Sequence, residues 1–222
     1  MAEIIDEKSL ILKLQKKKPL RIKLGIDPTA PDIHLGHTVV LRKLAQFQKE
    51  GHKIVLIIGD FTAKIGDPSG RKEERPQLSE KEIKENAKTY LDQVSKILDV
   101  KKAEIHFNSE WFKNFRLADF LRVLQKFSVA RILERDDFEQ RLKKGLKISM
   151  AEIIYPILQA VDSVQVKADV EVGGTDQKFN MLCGRQLTKK ILDQPQDIIT
   201  CLLYTSDAAD EGLGVDLGGR RI

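Results

Sequence analysis

His34-Leu35-Gly36-His37 sets two imidazoles three residues apart, with a glycine between them, where a loop gives way to a helix. Residues three apart on a helix share a face, so both rings can address one ligand. The first turn of such a helix offers unsatisfied N–H groups and the positive end of the helix dipole, which suits a phosphate. Gly36 leaves room for a nucleotide ring to lie against the backbone. The chemistry that fits is attack at an α-phosphate, with imidazoles stabilising charge that develops on the transferred group. Taken alone, the tetrapeptide serves as well for a first turn with one capping and one solvated histidine.

Further chemistry sits downstream. Tyr155, Gln159 and Asp162 are spaced i, i+4 and i+7, one stripe of a helix that presents a phenol, an amide and a carboxylate together. A helix with one exposed polar edge gives the same pattern. Asp67 precedes Pro68, an ordinary turn dipeptide and also a carboxylate on a loop. Arg71, Lys72 and Arg75 lie in a charged loop with Glu, Pro and Ser, which is equally the composition of a solvated loop. Gly173-Gly174-Thr175-Asp176-Gln177 ends a short apolar run with two glycines and then a carboxylate and an amide.

The elements that must position these groups read as an α/β fold. A basic amphipathic lead-in from Lys8 to Lys18 stops at Pro19, and Leu20 to Ile26 reads as a strand. A loop with two prolines follows, then a helix from about Leu35 to Glu50, with Val40, Leu41, Leu44 and Phe47 on one side and Gly51 as its cap. Ile54 to Ile58 is a continuous apolar run, the pattern of a strand covered on both faces of a parallel sheet. Strand, helix and strand at this spacing form a βαβ unit. Ser79-Glu80-Lys81-Glu82 has capping-box spacing and opens a helix with Ile83, Ala87, Leu91, Val94 and Leu98 as its buried stripe. Ala103 to Phe107 reads as a strand, Leu117 to Arg141 as helical, and Val170 to Val172 as a short strand. A last helix runs through Phe179, Met181 and Leu187.

Composition narrows the class. Hydrophobic residues make up 41% and charged residues 32% of the 222, which places the chain among ordinary globular proteins rather than disordered or membrane ones. Lys and Arg exceed Asp and Glu by 38 to 33, a surplus compatible with a nucleic-acid partner but too small to argue for one. Cys183 and Cys201 belong to no CxxC or Cys/His cluster, so neither zinc nor a disulfide framework is expected. With no leader-like or membrane-length apolar stretch, a cytoplasmic protein without membrane contact is expected.

Taken together and in order, these segments resemble the class I aminoacyl-tRNA synthetases, and within them the tyrosyl-tRNA synthetases. Leu24 to His37 is similar to that family's first strand, loop and HIGH helix. Ile65 to Arg71 is similar to its IGDPSG segment, Tyr155 to Asp162 to the helix that holds the amino acid, and Gly173 to Gln177 to its GG(S/T)DQ loop. The resemblance covers nearly all of residues 20 to 190. It implies a Rossmann-like catalytic domain with a parallel sheet and a helical insertion, acting on L-tyrosine, ATP with Mg2+, and tRNA(Tyr). It also implies a homodimer through the region of Phe127 to Arg141.

The resemblance assigns roles as well. His34, Gly36 and His37, with Thr29, would serve the ATP phosphates, and Gly174 and Asp176 the nucleotide ribose. Gly25 and Asp27 would lie beside the tyrosine, and Asp162 would accept the hydrogen bond of its hydroxyl. A buried acceptor that demands a hydroxyl rejects phenylalanine strongly, because its own hydrogen bond goes unmade. Tyr155 and Gln159 would hold the α-amino group, completed by Asp67 and Thr62, while Gln177 would approach the tyrosyl carboxylate. Arg71 and Arg75 would close over pyrophosphate, which an arginine fork suits.

The chain departs from the family in two respects, and its last residues fit no part of the pattern. Many tyrosyl enzymes carry a second tyrosine near the substrate hydroxyl, where Lys23 stands here. The KMSKS loop and the anticodon-reading region do not occur. From about Cys201 the text loses helical and strand periods, and residues 201–222 read as one frame of a transposase-type sequencing adapter. The expected organisation is therefore a catalytic domain over 1–200, incomplete, followed by a translated artefact over 201–222. Three other readings stay open: a tryptophanyl-tRNA synthetase, against which Asp162 argues; a small HxGH nucleotidyltransferase, which would not need the Tyr155/Gln159/Asp162 stripe; and a synthetase-derived module that binds without chemistry.

Overall fold

Five consecutive apolar residues, Ile54 to Ile58, can be satisfied only in a strand covered on both faces, and in the computed structural model all five are buried. The structure describes residues 2–33, 35–69 and 78–202. Its strands are β1 (Ala2–Ile5), β2 (Arg21–Ile26), β3 (Lys53–Ile58), β4 (Glu104–Phe107), β5 (Val170–Gly174) and β6 (Asp197–Cys201). They form one sheet in the order β1-β6-β5-β2-β3-β4, parallel except where β1 pairs with β6. The α/β class and the parallel sheet expected from the sequence are therefore present.

Side chains alternate across the sheet. Ile22, Leu24, Ile54 and Leu56 face one layer, against Val40, Leu41 and Leu44 of α2 (Leu35–Lys49) and Tyr90 and Val94 of α3 (Glu80–Val94). The opposite face meets α8 (Met150–Gln165) and α9 (Lys178–Leu192). A second core behind that pair joins Ile157, Val161 and Leu187 to Phe112 and Phe138. The expected capping box forms at Ser79 and Glu82, and an unanticipated one at Ser149 and Glu152 starts α8. Gly51 takes φ +84 after α2, the left-handed turn a glycine allows.

The structure corrects the sequence reading in three places. Leu117 to Arg141 is not one helix but α5 (Leu117–Leu124), α6 (Val129–Leu133) and the start of α7 (Asp136–Lys143), because Ser128 and Arg135 are extended. Four elements were not anticipated in full: β1, α1 (Glu7–Gln15) as a capped helix, α4 (Ser109–Phe112) and β6. Finally, Cys201 is the last residue of β6, paired with Gly174 and Ala2, so strand order persists through it. Residues 203–222, which carry most of the expected artefact, lie outside the described residues.

The topology positions the site. β2 has β3 on one side and β5 on the other, so the connections leaving its carboxyl end and that of β5 diverge. Open α/β sheets bind ligands in the crevice at such a switch point.

Candidate functional site

Gly25 and Asp27 at the end of β2, Gly59 after β3, and Gly174 to Gln177 after β5 surround a cavity of about 290 Å3, closed on one side by α8. Of the anticipated residues, Gly25, Asp27, Thr29, His37, Thr62 and Asp67 line it, as do Tyr155, Gln159, Asp162, Gly174, Asp176 and Gln177. Gly36 is buried in the first turn of α2 and is not part of the wall. His34, Arg71 and Arg75 lie outside the described residues.

Asp27 organises one wall. The Tyr155 hydroxyl donates to its Oδ2 at 2.8 Å, and the Thr62 hydroxyl donates to its Oδ1 at 2.8 Å. A Cβ at Gly59 would overlap both Asp27 Oδ1 and Thr62 Oγ1, so the Asp27–Thr62 bond needs glycine there. Burial, then the nearby Asp27 and Asp67 carboxylates, push the Tyr155 phenol well above its ordinary range. Tyr155 is thus a neutral donor.

Asp162 forms the base and is 4% exposed. Trp111 Nε1 donates to its Oδ1 at 2.9 Å and Asn108 Nδ2 to its Oδ2 at 3.3 Å. Asn108, itself fully buried, also donates to Thr62 Oγ1 at 2.9 Å, which ties the base to the Asp27 wall. Burial pushes the Asp162 carboxyl up to about 7, and Asp27 adds to the rise, while the Lys23 charge and the Trp111 and Asn108 hydrogen bonds oppose it. Trp111 and Asn108 escaped the sequence reading. Their one signal is that the chain's single tryptophan follows an asparagine by three residues at a strand end.

The rim is a hydrogen-bonded relay. Asp67 accepts from Ser69 N at 2.9 Å and from Gln177 Nε2 at 2.6 Å, and Gln177 also reaches Asp176 at 2.9 Å. Asn180 donates to Gln177 Oε1 at 3.0 Å and to Ser69 Oγ at 3.3 Å. Behind it Arg135, 5% exposed, donates to Asn180 Oδ1 and Ser69 Oγ, both at 3.1 Å. Its guanidinium lies over the Phe138 ring, 4.8 Å from the centroid. Arg135 and Asn180 carried no sequence motif either.

Lys23 does not face the cavity. It is fully buried under α8 and pairs with Glu171 at 2.7 Å, whereas Glu171 does line the wall.

Six carboxylates line this space, from Asp27, Asp32, Asp67, Asp162, Glu171 and Asp176, and no Lys or Arg among the described residues does. Such a wall suits a ligand with a cationic group near the rim and a hydrogen-bond donor long enough to reach Asp162. Tyr155 and Asp162 are separated by about 10 Å of helix rise, room for an extended aromatic amino acid. Among the described residues no group of three or more His, Cys, Asp or Glu could hold a metal ion.

Comparison with known proteins gives a consistent result. The family model described as "tRNA synthetases class I (W and Y)" matches residues 15–210. The curated tyrosine--tRNA ligase of Carboxydothermus hydrogenoformans is 58% identical over 200 residues, covering 88% of this chain and 49% of that protein. The chain thus spans about half the length of the curated relatives it matches. Among solved structures, a C-terminally truncated mitochondrial tyrosyl-tRNA synthetase of Aspergillus nidulans superposes with a TM-score of 0.77 at 26% identity, over 92% of this chain and 67% of that one. The Archaeoglobus fulgidus tyrosyl-tRNA synthetase, crystallised with L-tyrosine, shares the fold, with a TM-score of 0.71 at 21% identity over 93% of this chain and 65% of that one.

Proposed function

The chain belongs to the class I tRNA synthetases of the W and Y type, and on that premise we propose that it carries the amino-acid-activating site of a tyrosine—tRNA ligase. The observation that carries the choice of tyrosine is Asp162, a buried carboxylate held by Trp111 and Asn108 at the base of an acidic cavity. It accepts the phenolic hydrogen bond. The α-ammonium lies nearer the rim, among Asp67, Tyr155 and Gln159. Gln177 approaches the carboxylate of the amino acid.

The reaction follows from that placement. The tyrosine carboxylate, already an anion at neutral pH, attacks the α-phosphate of MgATP and pyrophosphate leaves. The aminoacyl group then passes to the terminal ribose of tRNA(Tyr). No proton must be removed from the nucleophile in the first step, so the protein contributes placement and charge stabilisation rather than a general base. His37, Thr29, Gly174 and Asp176 all line the cavity, and in this reading they serve the nucleotide. His34, with Arg71 and Arg75, completes the phosphate side in this reading, and Mg2+ arrives with the phosphates.

A homodimer through Phe127 to Arg141 fits the exposed apolar side chains in and beside that stretch: Val129 is 62% and Leu142 51% exposed. Among the described residues no helix is long and apolar enough to cross a membrane, and the proposed setting is the cytoplasm. In this reading residues 1–200 belong to an incomplete catalytic domain, and residues 203–222 form no part of it.

Calorimetric titration tests the proposal. L-Tyrosine binds, L-phenylalanine does not, and Asp162→Ala abolishes tyrosine binding while the variant stays folded. Equal binding of the two amino acids would overturn the assignment.

A further inference from the structure

We infer that the buried Lys23–Glu171 pair is a positioning device for the cationic end of the ligand: it orients the Gln159 amide so that its oxygen faces the cavity. This rests on the reading of the cavity as an amino-acid site and deepens it. Lys23 and Glu171 are register partners on β2 and β5, and both point beneath α8. An ammonium has three N–H donors. Those of Lys23 go to Glu171 Oε1 at 2.7 Å, Ser163 Oγ at 2.8 Å and the Gln159 backbone oxygen at 3.1 Å. None remains for a ligand, so Lys23 does not replace the hydroxyl-binding tyrosine that many relatives carry at its position.

What the pair does instead is set by Glu171. A carboxylate only accepts hydrogen bonds, so the amide end that meets it must be the NH2. Gln159 Nε2 donates to Glu171 Oε1 at 3.1 Å, which leaves Gln159 Oε1 as the group turned to the cavity, an acceptor for an ammonium. Lys23 holds the backbone of the same residue, so both ends of Gln159 are tied to one ion pair. Glu171 Oε2 is occupied in turn by Ser163 Oγ at 3.2 Å and by Gln196 Nε2. The cluster packs against Gly184, where a Cβ would lie 2.5 Å from Gln196 Nε2 and 3.0 Å from Ser163 Oγ. That close fit holds the carboxylate in place.

The test compares L-tyrosine with 3-(4-hydroxyphenyl)propionate, which lacks only the ammonium, by calorimetry on the whole chain. Glu171→Gln lets the Gln159 amide turn either way. It should weaken tyrosine by about tenfold or more, the usual worth of one hydrogen bond to a charged group. The propionate should bind the variant as it binds the wild type. The double variant Lys23→Met/Glu171→Met, which leaves no buried charge behind, should show the same selective loss and serves if the single variant does not fold. Equal weakening of both ligands, or of neither, overturns the inference while leaving the amino-acid site standing. A wild type that binds the two ligands equally overturns the ammonium pocket itself, and the inference with it.

Discussion

Replacing Asp162 by Asn removes a charge that the folded protein holds at a cost. The carboxyl sits at about 7 against an ordinary 3.8, because burial outweighs the Lys23 charge and the Trp111 and Asn108 hydrogen bonds. A gap of about three pH units corresponds to about 4 kcal/mol. The folded state binds this proton more tightly than the unfolded state does. Its contribution to stability is therefore full below about pH 4, falls as the pH rises, and is gone above about pH 7. Asparagine has no such pH dependence. Its oxygen still accepts from Trp111, but its NH2 meets the Asn108 NH2, a mismatch costing about 1 kcal/mol. The expected result is a variant about 3 kcal/mol more stable than wild type at pH 8, and about 1 kcal/mol less stable at pH 4. Urea unfolding of both proteins from pH 4 to 8.5 measures this, and the difference curve cancels the other carboxyls. Parallel curves would refute the argument, since they would mean that the base of the cavity carries no strained charge. The same variant should lose tyrosine affinity, so stability and binding move in opposite directions.

Three further outcomes follow from the geometry. Trp111→Phe removes the 2.9 Å donor to Asp162 and should weaken tyrosine binding about tenfold in calorimetry, with little change in far-UV circular dichroism. Gly59→Ala drives a methyl into Asp27 and Thr62; it should abolish binding of tyrosine and of its deamino analogue alike, and normal binding would show that the Asp27–Thr62 contact is dispensable. Ser149→Ala removes the N-cap of α8 and should cost about 1 kcal/mol in denaturant unfolding, with a proportionate rise in the tyrosine dissociation constant only if fraying reaches Tyr155.

The sequence displays what is local and hides what depends on pairing across the chain. β2, α2 and β3 were legible because apolar runs, a glycine cap and short connections specify them within a few dozen residues. The Tyr155/Gln159/Asp162 stripe was legible for the same reason, being one face of one helix. β6 was not, since Asp197–Cys201 becomes a strand through its neighbours β5 and β1, the latter nearly the whole described chain away. The break at Arg135 carries no glycine or proline. It exists because that guanidinium turns inward to Asn180 and Ser69, both remote in sequence. Trp111 and Asn108 reach Asp162 across some 50 residues, a contact no periodicity reports. Lys23 stands out in the sequence as a departure, but its meaning depends on Glu171 standing opposite on another strand.

The antiparallel closure of the sheet by β1 on β6 also has a timing. Ala2 opposes Cys201, so β1 waits for a strand synthesised about 200 residues later. At about 5–20 residues per second that interval is about 10 to 40 s. During it β1 has no partner, and once β5 is made its edge, Gly173 and Gly174 included, stands open until β6 arrives. Four residues with Glu3 among them make a short and charged edge, a poor template for other chains during the wait. When β6 docks, Lys178 at the start of α9 meets Glu3 at 2.7 Å, and Thr175 donates to the Cys201 carbonyl at 3.2 Å. The loop that follows β5 is thus the part of the cavity that takes its final form last.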